Sequence, residues 1–147
     1  MHIIRSLAGL FLMAGFLAHQ ASAAELKVLS ADASRPALQE LAPAFEKASG
    51  HKLKIDYAAA GDVQKKVADD EEYDVVILDQ PAAQKLTSAA KIVSGTTKVL
   101  FQGAPDVVYI GSTLSQTEQP IPAKALVDFL AGANAKDIYK AKGLQPG

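Results

Sequence analysis

The residues able to do acid–base or covalent chemistry are sparse. Asp32, Asp62 and Asp79 each stand where a strand-like run passes into a helix-like one. Three carboxylates at one end of a sheet suit two chemistries: holding a cation through hard oxygen ligands, or dividing the roles of acid and base. Each also occupies a position where a helix wants an N-cap, and a carboxylate accepting from first-turn amides accounts for all three without a reaction. His51 is the one histidine beyond residue 23. It follows a helix pattern, at the end of the fold away from those carboxylates, and is read as an exposed turn residue. No G-x-S-x-G, H-E-x-x-H, C-x-x-C, P-loop or G-x-G-x-x-G occurs. With no nucleophile, base and orienting group in prospect, the sequence predicts no catalytic residue, no metal and no cofactor, and a protein that is not an enzyme.

A binding signal remains. Ala58-Ala59-Ala60-Gly61 is a run of small residues between a strand and a helix. Small side chains let backbone N–H groups approach a ligand, and a helix N-terminus favours anions. Tight packing would use the same residues.

The elements that must position these residues alternate in type. Leu26 to Ser30 reads as a strand. Ser34 is a candidate N-cap with Pro36 in the first turn, and Leu38, Leu41, Ala42 and Phe45 make one apolar helix face. Pro43 should bend that helix, and Gly50 should end it. Leu53, Ile55 and Tyr57 alternate with Lys52, Lys54 and Asp56, the pattern of a strand covered on one side. Asp62 is a candidate cap for a helix carrying Val63 and Val67. The run Asp69-Asp70-Glu71-Glu72 opposes the helix dipole, so the helix should stop there on a solvated end. Val75 to Leu78 is continuously apolar, as in a strand buried on both faces. Asp79 or Gln80 caps the next helix, with Pro81 at its start. Val99 to Phe101 and Val107 to Ile110 are two further strands, separated by the Gly103-Ala104-Pro105 turn. Helices follow over Ile121 to Leu130 and from about Ala135 to Lys142, the second ending at Gly143.

Strands alternating with helices predict an α/β fold with a mostly parallel central sheet flanked by helices. In such sheets ligands sit beyond the C-terminal strand ends. The loops there are Ser30 to Ser34, Ala58 to Asp62 and Asp79 to Pro81. The candidate ligand-binding residues are therefore Ser30, Ala31, Asp32, Ala33, Ala60, Gly61 and Asp62.

Composition narrows the partners. The chain has 147 residues, a net charge of −1 and no tryptophan. Near-neutral charge and few aromatics argue against nucleic acid as a partner. There is no cysteine, so neither a disulfide nor a lipid on a cysteine thiol is available. The first residues read as an export signal. Arg5 precedes the uncharged apolar run Leu7 to Ala18, too short for the roughly 20 residues of a membrane span. Ala21-Ser22-Ala23 is a signal-peptidase pattern. Cleavage is expected after Ala23, leaving residues 24–147 as one domain with no membrane span, in the periplasm.

Several stretches carry a family resemblance. LKVLSADASRPALQELAPAFEKASG (26–50), AAAGDVQKKV (58–67), YDVVILDQPAAQKL (73–86) and AAKIVSG (89–95) resemble the first lobe of periplasmic solute-binding proteins of the molybdate and tungstate ABC-transporter type. AKALVDFLAGANAKDIYKAKGLQPG (123–147) resembles the same family's closing segment. The resemblance implies a three-layer, type II periplasmic-binding-protein-like lobe. It also implies a small ligand, molybdate or another oxyanion, and an ABC-transporter permease as partner. Two departures stand out. The stretch that would build a second lobe is missing between Leu100 and Asp106. The two serines with which the family holds its oxyanion fall at Ala33 and Ala60, which leaves main-chain amides, with Ser30 or Ser34 as the hydroxyls that could substitute. A surface left open by the absent lobe suggests an alternative: an interaction module that pairs as a homodimer or docks a partner.

Overall fold

A computed structural model describes residues 22–147; all but the last two residues of the predicted leader lie outside the described residues. The strands are β1 (Glu25–Ala31), β2 (Lys52–Ala58), β3 (Val75–Asp79), β4 (Lys98–Gly103), β5 (Val107–Thr113) and β6 (Gln145–Pro146). The helices are α1 (Arg35–Ser49), α2 (Ala60–Ala68), α3 (Gln80–Ser88), α4 (Pro120–Leu130) and α5 (Ala133–Ala141). Among the described residues, no helix is long and apolar enough to cross a membrane.

The strands form one sheet in the order β2-β1-β3-β5-β4-β6. Its core is parallel: β1 pairs in parallel with both β2 and β3. β5 runs antiparallel to β3 and to β4, so β4 points the same way as the parallel trio. The α/β class with its central parallel strands is as the sequence predicts. β6 was not legible in the sequence. Two residues, one of them proline, carry no strand pattern, and they are held by the β4 edge at Phe101 and Gln102.

Side-chain alternation along β1 and β3 builds a three-layer structure. Leu26, Val28, Val75 and Ile77 face α1, α4 and α5, meeting Leu38, Leu41, Phe45, Leu126 and Tyr139. Leu29, Val76 and Leu78 face α2 and α3, meeting Val63, Val67 and Leu86. β3 is accordingly buried on both faces along Val75–Leu78, whereas the edge strand β2 alternates charged exposed residues with half-buried apolar ones.

The termini follow local chemistry, with three corrections. α1 ends at Gly50 in the left-handed conformation (φ 76°), which glycine adopts without a Cβ penalty. α2 stops before the acid run, whose members pair outward: Asp69 with Lys65, Asp70 with Lys91, Glu71 with Lys66 and Glu72 with Lys27. Asp79 caps α3 by accepting from the Ala82 amide at 2.9 Å. Ser34, however, makes no side-chain cap for α1, because a 3₁₀ turn over Asp32–Ser34 precedes the helix and turns that hydroxyl inward. Asp62 does not cap α2 either. The helix starts three residues earlier, at Ala60 with Ala59 at the cap position, which places Asp62 inside the first turn. His51 is half-buried, not exposed: it stacks near Phe45, and its Nδ1 accepts from the Ala24 amide at 3.0 Å.

A candidate anion-binding mouth at the carboxyl ends of the parallel strands

The sheet register decides whether the predicted site residues can meet. Ser30 pairs with Tyr57 and Ala31 with Ala58 across β1 and β2. Ser30 also pairs with Ile77 of β3, so Asp79 lies at the same end. The chain leaves β1 for α1 on one face of the sheet and leaves β2 for α2 on the other. β1 is thus a switch point, where adjacent strands send their helices apart and open a crevice above the strand ends. The turns carrying Asp32, Ala33, Ala60, Gly61 and Asp62 converge there.

Local structure sets what each residue can offer. The Asp62 and Val63 amides both close on the Ala59 carbonyl, at 2.9 and 3.0 Å. In the first turn of α2 this leaves the Ala60 and Gly61 amides as outward donors. Both residues are exposed. A Cβ built at Gly61 would meet nothing within 4 Å, so the glycine is not demanded by packing and space lies open over it. Asp32 is exposed and Ala33 half-buried. Ser30 and Ala31 reach the same end but are buried.

The two serine hydroxyls are already engaged. The Ser34 hydroxyl donates to the Ala31 carbonyl at 2.9 Å. Ser30 Oγ contacts Ser34 Oγ and lies 3.3 Å from the Ala31 carbonyl. A hydroxyl has one proton, and here each is directed to an acceptor inside the turn. The pair therefore fixes the shape of the 3₁₀ turn and presents no donor to the crevice.

A cation outside the sequence-predicted residues stands beside the mouth. The Arg35 guanidinium, on the first residue of α1, lies over the Tyr57 ring with 4.1 Å from its central carbon to the ring centroid. Its Nη2 donates to Asp32 Oδ1 at 2.6 Å. Burial raises the Tyr57 hydroxyl above its ordinary value, and Arg35 beside it acts in the opposite direction. An arginine three residues after an aspartate, opposite a tyrosine ending an alternating strand, was the available signal.

Among the described residues, His, Asp and Glu side chains nowhere gather in threes as metal ligands, and Asp32, Asp62 and Asp79 are spoken for by an ion pair, a helix first turn and a cap. A groove of about 400 Å³ lies at the opposite end of the sheet, lined in part by Glu25, Lys27, Tyr73, Asp74, Thr117 and Gln119. Its polar groups are largely consumed by each other. Asp74 accepts from the Lys27 amide at 2.8 Å and from the Thr117 hydroxyl at 2.6 Å, and Gln119 N–H donates to Thr117 Oγ1 at 3.0 Å. The groove reflects a stapled loop, whereas the free donors are at the mouth.

Comparison with known proteins agrees with this architecture. A Clostridium difficile protein described as the substrate-binding domain of a molybdenum ABC transporter superposes with a TM-score of 0.77 at 14% identity, covering 85% of this chain and 100% of that one. The periplasmic molybdate-binding protein of Azotobacter vinelandii gives 0.75 at 14% identity, with 83% and 99% covered. The sulfate-binding protein SubI of Mycobacterium tuberculosis gives 0.70 at 10% identity, with 84% and 87% covered. At these identities the likeness is one of fold. No curated protein matches the sequence. The profile of bacterial extracellular solute-binding proteins matches residues 26–107, more than half of the chain, and the protein belongs to that family.

Proposed function

We propose that this protein is a periplasmic binding component for a small oxyanion, of the molybdate, tungstate or sulfate class, serving an ABC-transporter permease. The observation that carries the reading is the convergence of the α1 and α2 starts over the β1–β2 strand ends, with the Ala60 and Gly61 amides directed outward. Partial positive charge at helix N-termini and unpaired amides suits an anion. In this reading Ala33, Ala60 and Gly61 bind through main-chain N–H groups, Ser30 and Ala31 shape the floor, and Asp32 and Asp62 oppose the ligand's charge. Residues 1–23 are a leader removed on export, and 24–147 form one domain, a single lobe. The reaction is capture and release, with no bond made or broken.

Support for the single lobe comes from the β4–β5 connection, which is only Ala104-Pro105-Asp106. That turn lies at the mouth end of the sheet, beside Asp79 and Tyr109. With no lobe inserted there, a bound anion stays wet on one side, and affinity is modest. Isothermal titration calorimetry against molybdate, tungstate and sulfate tests the reading. Binding with a dissociation constant in the micromolar to low millimolar range is expected. No heat and no thermal shift at millimolar anion contradicts it.

The same short turn favours a second reading, in which the uncovered mouth pairs with a second copy or another protein. Sedimentation equilibrium at micromolar protein separates the two: a strict monomer that binds anion supports the first, and a dimer that binds none supports the second.

A further inference from the structure

We propose that Arg35 is a specificity-determining residue of the mouth, held in readiness by Asp32 and Tyr57, and that it selects doubly charged tetrahedral oxyanions. The proposal rests on the oxyanion reading above and adds to it the group that supplies charge.

The need for such a group follows from what the mouth lacks. Ala33 and Ala60 bring no side-chain donor. The Ser30 and Ser34 hydroxyls are buried and turned onto each other and the Ala31 carbonyl. Neutral amides alone would face a dianion with the Asp32 and Asp62 carboxylates close by. Arg35 is the fixed cation at this point. It is held on the Tyr57 face at 4.1 Å, well inside cation–π range. Tyr57 is in turn fixed by strand pairing with Ser30.

A guanidinium has five N–H donors in a planar fork. Asp32 engages one of its nitrogens, and both side chains remain about half exposed, at 48% and 55%. Donors are thus left for solvent or a ligand. The Asp32 carboxylate is an oxygen anion already seated on this cation, and so acts as an intramolecular competitor for any arriving anion. An anion that displaces it must bring more charge than one carboxylate. A tetrahedral dianion does so; a monoanion of the same shape, such as perchlorate, does not.

Calorimetric titration of the purified protein with tungstate, sulfate and perchlorate tests this, using R35A, R35K, D32N and the double variant D32N/R35A, with D62N and D62N/R35A as charge controls. Circular dichroism establishes that each variant is folded. R35A is expected to weaken tungstate binding at least about tenfold, the loss of a charge-assisted hydrogen bond, and R35K to recover part of it. D32N should tighten binding several-fold, and that gain should vanish in D32N/R35A, because Asp32 competes for Arg35. The gain from D62N should survive in the R35A background. Wild-type protein should prefer sulfate to perchlorate. Tungstate binding by R35A within twofold of wild type overturns the proposal while leaving the oxyanion function standing. So does an equal D32N gain with and without Arg35. Absence of any anion binding by wild type overturns both.

Discussion

Ala31 and Ala58 are partners in the parallel ladder between β1 and β2, and directly past each of them the chain turns toward a helix. Neighbouring strands lie about 5 Å apart, so two helix starts rise from almost one point and diverge to opposite faces of the sheet. The mouth is a consequence of that register. A slip by one residue would turn every β2 side chain over and expose the half-buried Leu53, Ile55 and Tyr57.

Adding hydroxyls at the mouth should strengthen binding. Ala33→Ser and Ala60→Ser each place a donor beside outward amides, and a hydrogen bond to a charged ligand contributes about 1.5–3 kcal/mol. Each variant should lower the tungstate dissociation constant by about tenfold or more in calorimetry. The half-buried position of Ala33 makes A60S the cleaner of the two.

Ser34 should matter for folding and not for the ligand. Ser34→Ala removes the hydroxyl that donates to the Ala31 carbonyl and partners Ser30. Leaving buried acceptors unpaired costs about 1–3 kcal/mol. The urea midpoint should fall with the slope unchanged, while anion affinity stays within twofold.

Asp74 separates the groove from the mouth. Asp74→Ala deletes a carboxylate that holds the Lys27 amide and the Thr117 hydroxyl, and should destabilise the fold by roughly 1.5–3 kcal/mol. Because it lies at the far end of β1, tungstate affinity should not change. A selective loss of affinity with stability intact would move the site to the groove.

Tyr139 gives the fold an alkaline limit. Its hydroxyl is buried and donates to the Leu130 carbonyl at 2.8 Å, and burial raises its pKa well above the tyrosine range. A group whose folded pKa is raised contributes fully below its unfolded value, about 10, and that contribution is lost as pH rises above it. Stability measured by urea titration should be level up to about pH 9 and fall beyond pH 10. Tyr139→Phe should be less stable at pH 7 by about 1 kcal/mol and fall less steeply above pH 10. Some slope should persist, since burial also raises Tyr57, Tyr73 and Tyr109.

Much of this was legible in the sequence for identifiable reasons. The apolar run Val75–Leu78 announces a strand covered on both faces, and the alternation in Leu53, Ile55 and Tyr57 an edge strand covered on one. The Asp79-Gln80-Pro81 start of α3 carries a cap and a first-turn proline, and both act as read. Sequence and structure part where side chains have two local options. Ser34 can cap a helix or bond back to a carbonyl, and the 3₁₀ turn before it decides for the second. Asp62 carries a cap signal, yet α2 starts at Ala60, whose type signals nothing. Arg35 fits no single local pattern because its partners come from different spans: Asp32 three residues back, and Tyr57 from the neighbouring strand.

The most direct measurement is a map of backbone amide chemical shifts in ¹⁵N-labelled protein titrated with tungstate. Saturable shifts are expected at Asp32, Ala33, Ala60, Gly61 and Asp62, with the Arg35 side-chain Nε following. Shifts centred instead on Asp74, Thr117 and Gln119, or no saturable shift at millimolar tungstate, would contradict an anion site at the mouth.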